Sequence, residues 1–382
     1  MLAFQNATLV MADYMIPKGT LLTKDDKIIY AGTQIDTPEG YQEINGTGLY
    51  AGPGLIDIHL HSGNGVHLHN ACPEASKFHL DRGSTSIFPT LYFTMDQKTL
   101  IEKIKYVREC VQSGCCSNVR GLYVEGPYMN PDFGANRNSC SWAKAVSRED
   151  YLPVIQEASD FVKVWGCAPE RENIEWFVRD AKEVNPNIIF SVAHSTATPQ
   201  QIQKLMPYGL KLGTHHTNAT GTIVNYPECR GCCVDEAVNY FDDIYAELIC
   251  DEKGIHVDPF MLRLVRRIKG REKVILITDC SHNDGPPLPG CEHVTDINFD
   301  HYNEISGTKM SLNQACRNMM MHTGASMCDV FYYASHNPAH LLGMTDRGEL
   351  RPGAIADVIL VDHEMDVKTV VLGGRVVHSN AL

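Results

Sequence analysis

The chain has 382 residues, of which 43% are hydrophobic, enough for a large buried core and for two or three domains, or one large domain with a small one. Acidic residues outnumber basic ones by 46 to 33, and the formal net charge of -13 excludes nucleic acid and anionic membranes as bulk partners. No apolar run approaches the length of a bilayer span. The N-terminus has no basic segment followed by a long apolar one, so the fourteen cysteines are expected to be free thiols in a reducing cytoplasm.

Both ends of the chain are expected to form short β-strands. The strand-like runs, which are separated by turn-forming residues, are 2–4, 7–10 and 27–32 near the start and 356–361, 369–372 and 375–378 near the end. Chain termini often lie close together. Residues 1–50 and 345–382 are therefore predicted to form one small β-sandwich domain, and residues 51–344 a catalytic domain.

The middle of the chain alternates apolar strand-like runs with helical segments. Capping patterns predict helix starts at Thr94, Ser147 and Thr198. This alternation is typical of parallel strands buried on both faces, as in a (β/α)8 TIM-like barrel or an open doubly wound sheet. The sequence has neither G-x-G-x-x-G after a first strand nor G-x-x-x-x-G-K-[ST], which disfavours nucleotide-binding open sheets.

Histidines and carboxylates follow the predicted strands. Residues 53–61 read P-G-L-I-D-I-H-L-H, which places His59 and His61 on one face of a strand because side chains alternate with period two. Later strands are followed by Glu125, His194, His215 and Asp279. Barrel active sites are built where parallel strands end, so these six side chains are expected to form one ring. Any one of them alone fits an ordinary polar residue at a strand end better than a ligand, but six at successive strand ends do not.

Imidazole and carboxylate ligands together favour a borderline divalent ion, Zn first, with Fe, Mn or Co as alternatives. Catalytic sites keep one coordination position for water, whose pKa falls to about 7 on zinc. The competing seryl scheme lacks its G-x-S-x-G motif in this sequence. A second H-x-H, at His67 and His69, is expected to be a solvated loop.

The motifs resemble those of the amidohydrolase superfamily, and within it the N-acetylglucosamine-6-phosphate deacetylase family, over nearly the whole chain. The matching segments are P-G-L-I-D-I-H-L-H-S-G at 53–63, V-E-G-P-Y-M-N at 124–130, A-H-S-T-A-T at 193–198, T-H-H-T-N-A at 214–219, G-I-H-V-D at 254–258, L-I-T-D at 276–279, N-P-A-H-L-L-G at 337–343 and G-E-L-R-P-G-A-I-A-D at 348–357. The E-G-P and G-x-H-V-D pieces are the more specific to the deacetylases.

The resemblance implies that Glu125, His194 and His215 hold the principal metal. His59 and His61 match an H-x-H that some members keep and others alter, so one or two ions are allowed. The family's reaction would be removal of the acetyl group from N-acetylglucosamine 6-phosphate by a homodimer.

The resemblance also implies roles for residues around the metal. Asp279 would take a proton from the attacking water and return it to the leaving amine, and His256 would hydrogen-bond the acetyl carbonyl. Asn218 and Ala219 would contact the sugar or its phosphate.

Two departures from the family concern the phosphate. The family's arginine usually follows the Asn-Ala pair by about a turn and a half, whereas here the first arginine is Arg230, which is a displaced phosphate ligand or a surface charge. Arg137 stands near a position where the family commonly has histidine, and it is a second candidate ligand. The alternatives are therefore an amidohydrolase acting on an unphosphorylated N-acyl sugar or N-acyl amino acid, or a non-catalytic barrel used as a binding protein.

Overall fold

The computed structural model describes residues 1–135, 137–221, 227–283 and 285–379. The strands in chain order are β1 (Leu2–Val10), β2 (Met15–Lys24), β3 (Lys27–Gly32), β4 (Gln42–Asn45), β5 (Tyr50–Pro53), β6 (Leu55–Leu60), β7 (Ser62–Gly63), β8 (Val66–His67), β9 (Ser84–Leu91), β10 (Leu122–Val124), β11 (Val162–Cys167), β12 (Ile189–Val192), β13 (Leu210–Gly213), β14 (Tyr245–Ile249), β15 (Val274–Ile277), β16 (Ile297–Phe299), β17 (Ile305–Thr308), β18 (Val358–Val361), β19 (Val367–Leu372) and β20 (Arg375–Ser379).

The α-helices of the described residues lie between the strands of the middle region and after them. They are α1 (Cys72–Leu80), α2 (Gln97–Gln112), α3 (Arg148–Ala158), α4 (Ile174–Val184), α5 (Pro199–Leu205), α6 (Val234–Tyr240), α7 (Pro259–Lys269), α8 (Leu312–Thr323), α9 (Met327–Phe331) and α10 (Asn337–Leu341). Across the described part of the chain, none of them has the length and apolarity needed to cross a membrane.

The two chain ends form one sheet with the strand order β20-β19-β18-β5-β1-β2-β3, and β4 also pairs with β1. Strand β18 pairs antiparallel with β5, which joins the C-terminal hairpin to the N-terminal strands. Strand β5 extends to Pro53, three residues beyond the predicted boundary at residue 50. The predicted strands did not include β2, because Lys18, Gly19 and Thr20 interrupt its apolar pattern.

The middle of the chain forms the predicted (β/α)8 barrel, with eight parallel strands in the order β15-β14-β13-β12-β11-β10-β9-β6. The barrel closes just past β6 and β15, where the backbone amides of His61 and Ser62 both donate to the carbonyl of Cys280, at 2.7 and 2.8 Å. Strands β6 and β9 are buried along their whole length. A helix follows each barrel strand, from α1 after β6 to α8 after β15.

The predicted helix starts have different outcomes. Thr198 caps α5 in a capping box with Gln201, as predicted. Ser147 directly precedes α3, but its side chain makes no capping hydrogen bond. The start predicted at Thr94 is wrong, because the carboxylate of Asp96 accepts a 2.8 Å hydrogen bond from the amide of Thr99 and α2 begins only after it.

Candidate metal centre

Six predicted side chains converge at the C-terminal end of the barrel. His59 lies within β6 and His61 directly follows it, Glu125 directly follows β10, and the other three side chains come two residues beyond their strands. Those three, His194, His215 and Asp279, have φ values of 42°, 28° and 45°. Because the left-handed region is unusual for side-chain-bearing residues, the chain turns sharply where each of these groups enters the centre.

The ligand-type atoms form two adjacent groups. In the first, His194 Nε2 and His215 Nε2 lie 2.6 and 3.2 Å from Glu125 Oε1 and 3.1 Å from each other. In the second, Asp279 Oδ1 lies 3.2 Å from His61 Nε2 and 3.7 Å from His59 Nε2. Within each group all ligand atoms lie within 4.8 Å of one another.

The tautomers of His59 and His61 fit a bound cation. His61 Nδ1 lies 3.0 Å from the carbonyl of Thr90, and His59 Nδ1 lies 3.1 Å from Glu247 Oε2. These oxygens can only accept, so Nδ1 must donate and a neutral ring carries its lone pair on Nε2. The buried His59 Nε2 has no hydrogen-bond partner within the described ranges. Lone pairs that face carboxylates across a buried gap are the donor set that a divalent ion requires.

The electrostatic balance of the centre also favours a cation. Burial lowers the pKa of His59, but the charge and hydrogen bond of Glu247, with smaller contributions from Asp279 and Glu125, raise it to about 10. Burial raises the pKa of Glu125, but the charge and hydrogen bond of His194 outweigh burial and hold that pKa well below its usual range. Glu125 is therefore held ionised, and the centre attracts positive charge, either a proton on His59 or a metal ion.

Glu247 is a part of the centre that the sequence motifs did not indicate. It lies in β14, is fully buried, and accepts hydrogen bonds from His59 Nδ1 and from the backbone amide of His215, the latter at 3.0 Å. One carboxylate thus orients ligands from both groups. The available signal was a single acidic residue inside an otherwise apolar strand that is buried on both faces.

A cavity of about 520 Å³ opens above the centre, within the range of small-molecule sites. Besides the proposed ligands other than His59, its lining includes Asn218, Ala219 and His256. Asn218 Nδ2 donates to the carbonyl of His256 at 2.7 Å, and His256 Nδ1 lies 3.4 Å from Asp251 Oδ2. The structure therefore brings the three predicted substrate-facing residues to one wall.

The two candidate arginines lie in different places. Arg137 is the one arginine or lysine among the described residues that line the cavity. Its two Nη atoms donate to the two carboxylate oxygens of Glu304, at 2.5 and 2.8 Å. Arg230 is not among the lining residues; its side chain is 80% exposed and pairs with Glu236 at 2.5 Å. Asn136 and residues 222–226, which belong to the two departures from the family pattern, lie outside the described residues.

The second H-x-H does not form a solvated loop. His67 and His69 stack with ring centroids 4.9 Å apart, and both line the cavity. His69 is buried, and its burial, together with the charge of His67, lowers its pKa to about 3. The expectation of a solvated pair is wrong because the β7–β8 turn carries these rings back over the barrel mouth.

A closed parallel barrel with imidazoles and carboxylates around one cavity defines the class of metal-dependent barrel hydrolases. The model of the amidohydrolase family matches residues 50–377, and the chain belongs to this family. The predicted fold class and the predicted enzyme class, a metal-dependent carbon-nitrogen hydrolase, are thereby confirmed. The family implies a divalent metal, in keeping with the two ligand groups.

The chain is also similar to individual characterised proteins. It is 26% identical over 406 residues to the N-acetylglucosamine-6-phosphate deacetylase of Lysinibacillus sphaericus, covering 98% of this chain and 97% of that protein. It is 28% identical over 338 residues to the N-acetylgalactosamine-6-phosphate deacetylase of Escherichia coli O157:H7, covering 85% and 86%. The crystal structure of N-acetylglucosamine-6-phosphate deacetylase from Pasteurella multocida superposes with a TM-score of 0.85 at 24% identity, covering 98% and 99%.

Proposed function

We propose that this enzyme hydrolyses the amide of N-acetylglucosamine 6-phosphate to glucosamine 6-phosphate and acetate. The observation that carries the proposal is that Asp279 lines one cavity together with the ligand group of Glu125, His194 and His215. Support also comes from relatives with this activity in their names that align along nearly the whole chain. The cavity volume suits a substrate the size of a sugar phosphate.

Within this proposal, Glu125, His194 and His215 hold the principal ion, with Zn²⁺ as the first choice and Fe, Mn or Co as alternatives. The bound ion supplies an activated water and charge stabilisation for the tetrahedral oxyanion. Glu247 orients the ring of His59, which keeps its Nε2 atom toward the centre, and holds the backbone of His215 through the amide.

The remaining steps are assigned to side chains of the cavity. Asp279 accepts a proton on its carboxylate and later delivers it to the amine nitrogen, which is a poor leaving group without protonation. His61 Nε2 lies 3.2 Å from Asp279 Oδ1, beside the carboxylate that carries the proton. His256 hydrogen-bonds the acetyl carbonyl, while Asn218 and Ala219 contact the sugar or its phosphate.

The test is an Asp279→Asn variant assayed with N-acetylglucosamine 6-phosphate. We expect kcat to fall at least about 100-fold, because a positioned general base contributes roughly this much or more. Elemental analysis of the same preparation should show the principal ion retained, since Asp279 is not among its proposed ligands. Metal retention with full activity would refute the assignment of the proton shuttle, and an inactive wild-type enzyme would refute the substrate.

A second candidate substrate is N-acetylgalactosamine 6-phosphate, favoured by the 28% identity to an enzyme named for it. Comparing kcat/KM for both sugar phosphates and for unphosphorylated N-acetylglucosamine separates the candidates. We expect the glucosamine derivative to be the best substrate. A preference for the unphosphorylated sugar would favour the alternative amidohydrolase without phosphate recognition.

The number of ions depends on the group of His59, His61 and Asp279. If it holds a second ion, a His61→Asn variant should lose about half of the bound metal and only part of its activity. A matched Glu125→Gln variant should lose the principal ion and turnover. Unchanged metal content in His61→Asn would establish one ion per chain.

We further infer a cytoplasmic homodimer. All fourteen cysteines lie in the described ranges and are free thiols, which suits a reducing compartment. A dimer offers one route by which Arg230, exposed on its own chain, reaches a partner's cavity. Sedimentation analysis of the purified enzyme tests the oligomeric state.

A further inference from the structure

Four cysteine side chains gather beside the barrel, away from the catalytic cavity. Cys72 begins α1, Cys110 lies in the last turn of α2, and Cys115 and Cys116 lie in the connection from α2 to β10. The sulfur atoms of Cys110, Cys115 and Cys116 all lie within 4.8 Å of one another. None of the four is among the described residues that line the catalytic cavity.

Cys116 is the centre of this thiol cluster. It is buried, and its sulfur lies 3.9 Å from that of Cys115. The thiol of Cys72 and the hydroxyl of Ser76, both on α1, lie within hydrogen-bonding reach of it.

The distances suit a tetrahedral ion. A Zn–S bond of about 2.3 Å implies sulfur atoms about 3.8 Å apart, and Cys115 and Cys116 already have this separation. Cys115 is exposed and Cys110 is half-buried, so an ion can enter from solvent, while Cys72 is buried beside Cys116. The adjacent cysteines and the four residues between Cys110 and Cys115 do not match zinc-ribbon spacing, so the sequence motifs did not indicate this cluster.

We propose that Cys110, Cys115 and Cys116, with Cys72 beside them, form a second metal site, distinct from the catalytic centre, in which the first three thiols bind Zn²⁺ or a similar thiophilic divalent ion. When the ion binds, the sulfur–metal bonds form and the protons of the ligand thiols pass to solvent. The ion would tie the last turn of α2 to the connection that leads into β10. The segment before β10 and Glu125 would thereby be held against α2.

Cobalt titration tests this proposal, because thiolate ligands give Co²⁺ an intense near-ultraviolet charge-transfer band that imidazole and carboxylate ligands do not. The wild-type enzyme should develop this band as the ion saturates one thiolate site. Cys116→Ser should abolish the band. The matched control is Cys232→Ser. Cys232 is exposed and the adjacent Cys233 is buried, as in the pair of Cys115 and Cys116, and this variant should retain the band.

Protein stability provides the second measurement. Zn²⁺ should raise the Tm of the wild type and of Cys232→Ser, and a chelator should lower both. If Cys116→Ser fails to fold, the exposed Cys115→Ser variant takes its place and should lose most of the band. A wild type without a thiolate band, or a band that persists in Cys116→Ser and Cys115→Ser, would overturn the proposal. A wild-type enzyme that is active as a deacetylase but shows no thiolate band would refute the thiolate site and leave the proposed function intact.

Discussion

At the scale of single residues, Glu247 connects both halves of the catalytic centre. Its carboxylate accepts from His59 in one ligand group and from the backbone of His215 in the other. Neither bond is replaceable by water, since Glu247 and His59 are fully buried. A hydrogen bond of this kind fixes the ring orientation of a metal ligand, and its loss typically lowers metal affinity or activity about 10- to 100-fold.

A Glu247→Gln variant tests this role. Replacing the carboxylate removes the charge that faces His59, so we expect metal affinity or kcat to fall by roughly 10- to 100-fold. The matched control is Glu252→Gln, a change of an exposed carboxylate that pairs with Lys253. Equal metal content and kcat in both variants would contradict a positioning role for Glu247.

The six side chains at the strand ends were predictable because period-two alternation and the rule for parallel barrel strands both operate locally. His59 and His61 illustrate the first, and Asp279 the second. Glu247 was not predictable in the same way, because it points inward from mid-strand and its partners lie far away along the chain. The thiol cluster depends likewise on tertiary packing of Cys72 against Cys116.

At the scale of elements, the cavity mouth is built by the connections after β10 and β15. The first carries Arg137, and the second carries Glu304 in the turn between β16 and β17. Arg137 is pre-positioned by its two contacts with Glu304, in a geometry that also suits a phosphate. A 6-phosphate entering this mouth would compete with Glu304 for the guanidinium. Long connections of this kind are the least predictable elements from sequence, because no periodicity specifies where they fold.

We expect Arg137→Ala to raise KM for N-acetylglucosamine 6-phosphate by roughly 10-fold or more, since a charge-assisted hydrogen bond is lost. Glu304→Gln should lower the same KM, because the phosphate no longer competes with a carboxylate. The KM for unphosphorylated N-acetylglucosamine serves as the control and should stay unchanged in Arg137→Ala. A rise in KM for the sugar phosphate in Arg230→Ala, with none in Arg137→Ala, would assign the phosphate to the displaced arginine instead.

At the scale of the whole molecule, the barrel is joined to a sheet made from both chain ends, and Asp357 lies at the junction. Its carbonyl accepts from the amide of Gly54 at 2.9 Å, directly before the first barrel strand. Its carboxylate accepts from the amide of Gly373 at 2.8 Å and from Arg347 at 2.5 Å. The short strand-like runs at both termini predict that the two ends associate. The polar contacts that hold the junction could not be predicted in this way, because they join three separate segments of the chain.

Removal of Arg347 tests how far the junction stabilises the fold. The side chains of Asp357 and Arg347 are only 6% and 17% exposed, so Arg347→Ala leaves a buried carboxylate without its cation. We expect the free energy of unfolding to fall by about 3 kcal/mol, as measured by chemical denaturation. The control Arg351→Ala removes a half-exposed arginine 3.6 Å from Glu349 and should cost less than about 1 kcal/mol.

The pH dependence of that loss provides an independent check. Burial raises the pKa of Asp357 in the folded state, and Arg347 opposes this, so removing Arg347 raises the pKa further. A folded-state pKa above the unfolded value means that protonation favours the folded state, and this contribution is lost as pH rises through the folded pKa. The deficit of Arg347→Ala relative to wild type should therefore be larger at about pH 8 than at about pH 5. An equal deficit at both values would show that the loss comes from packing of the Arg347 side chain rather than from the unpaired charge.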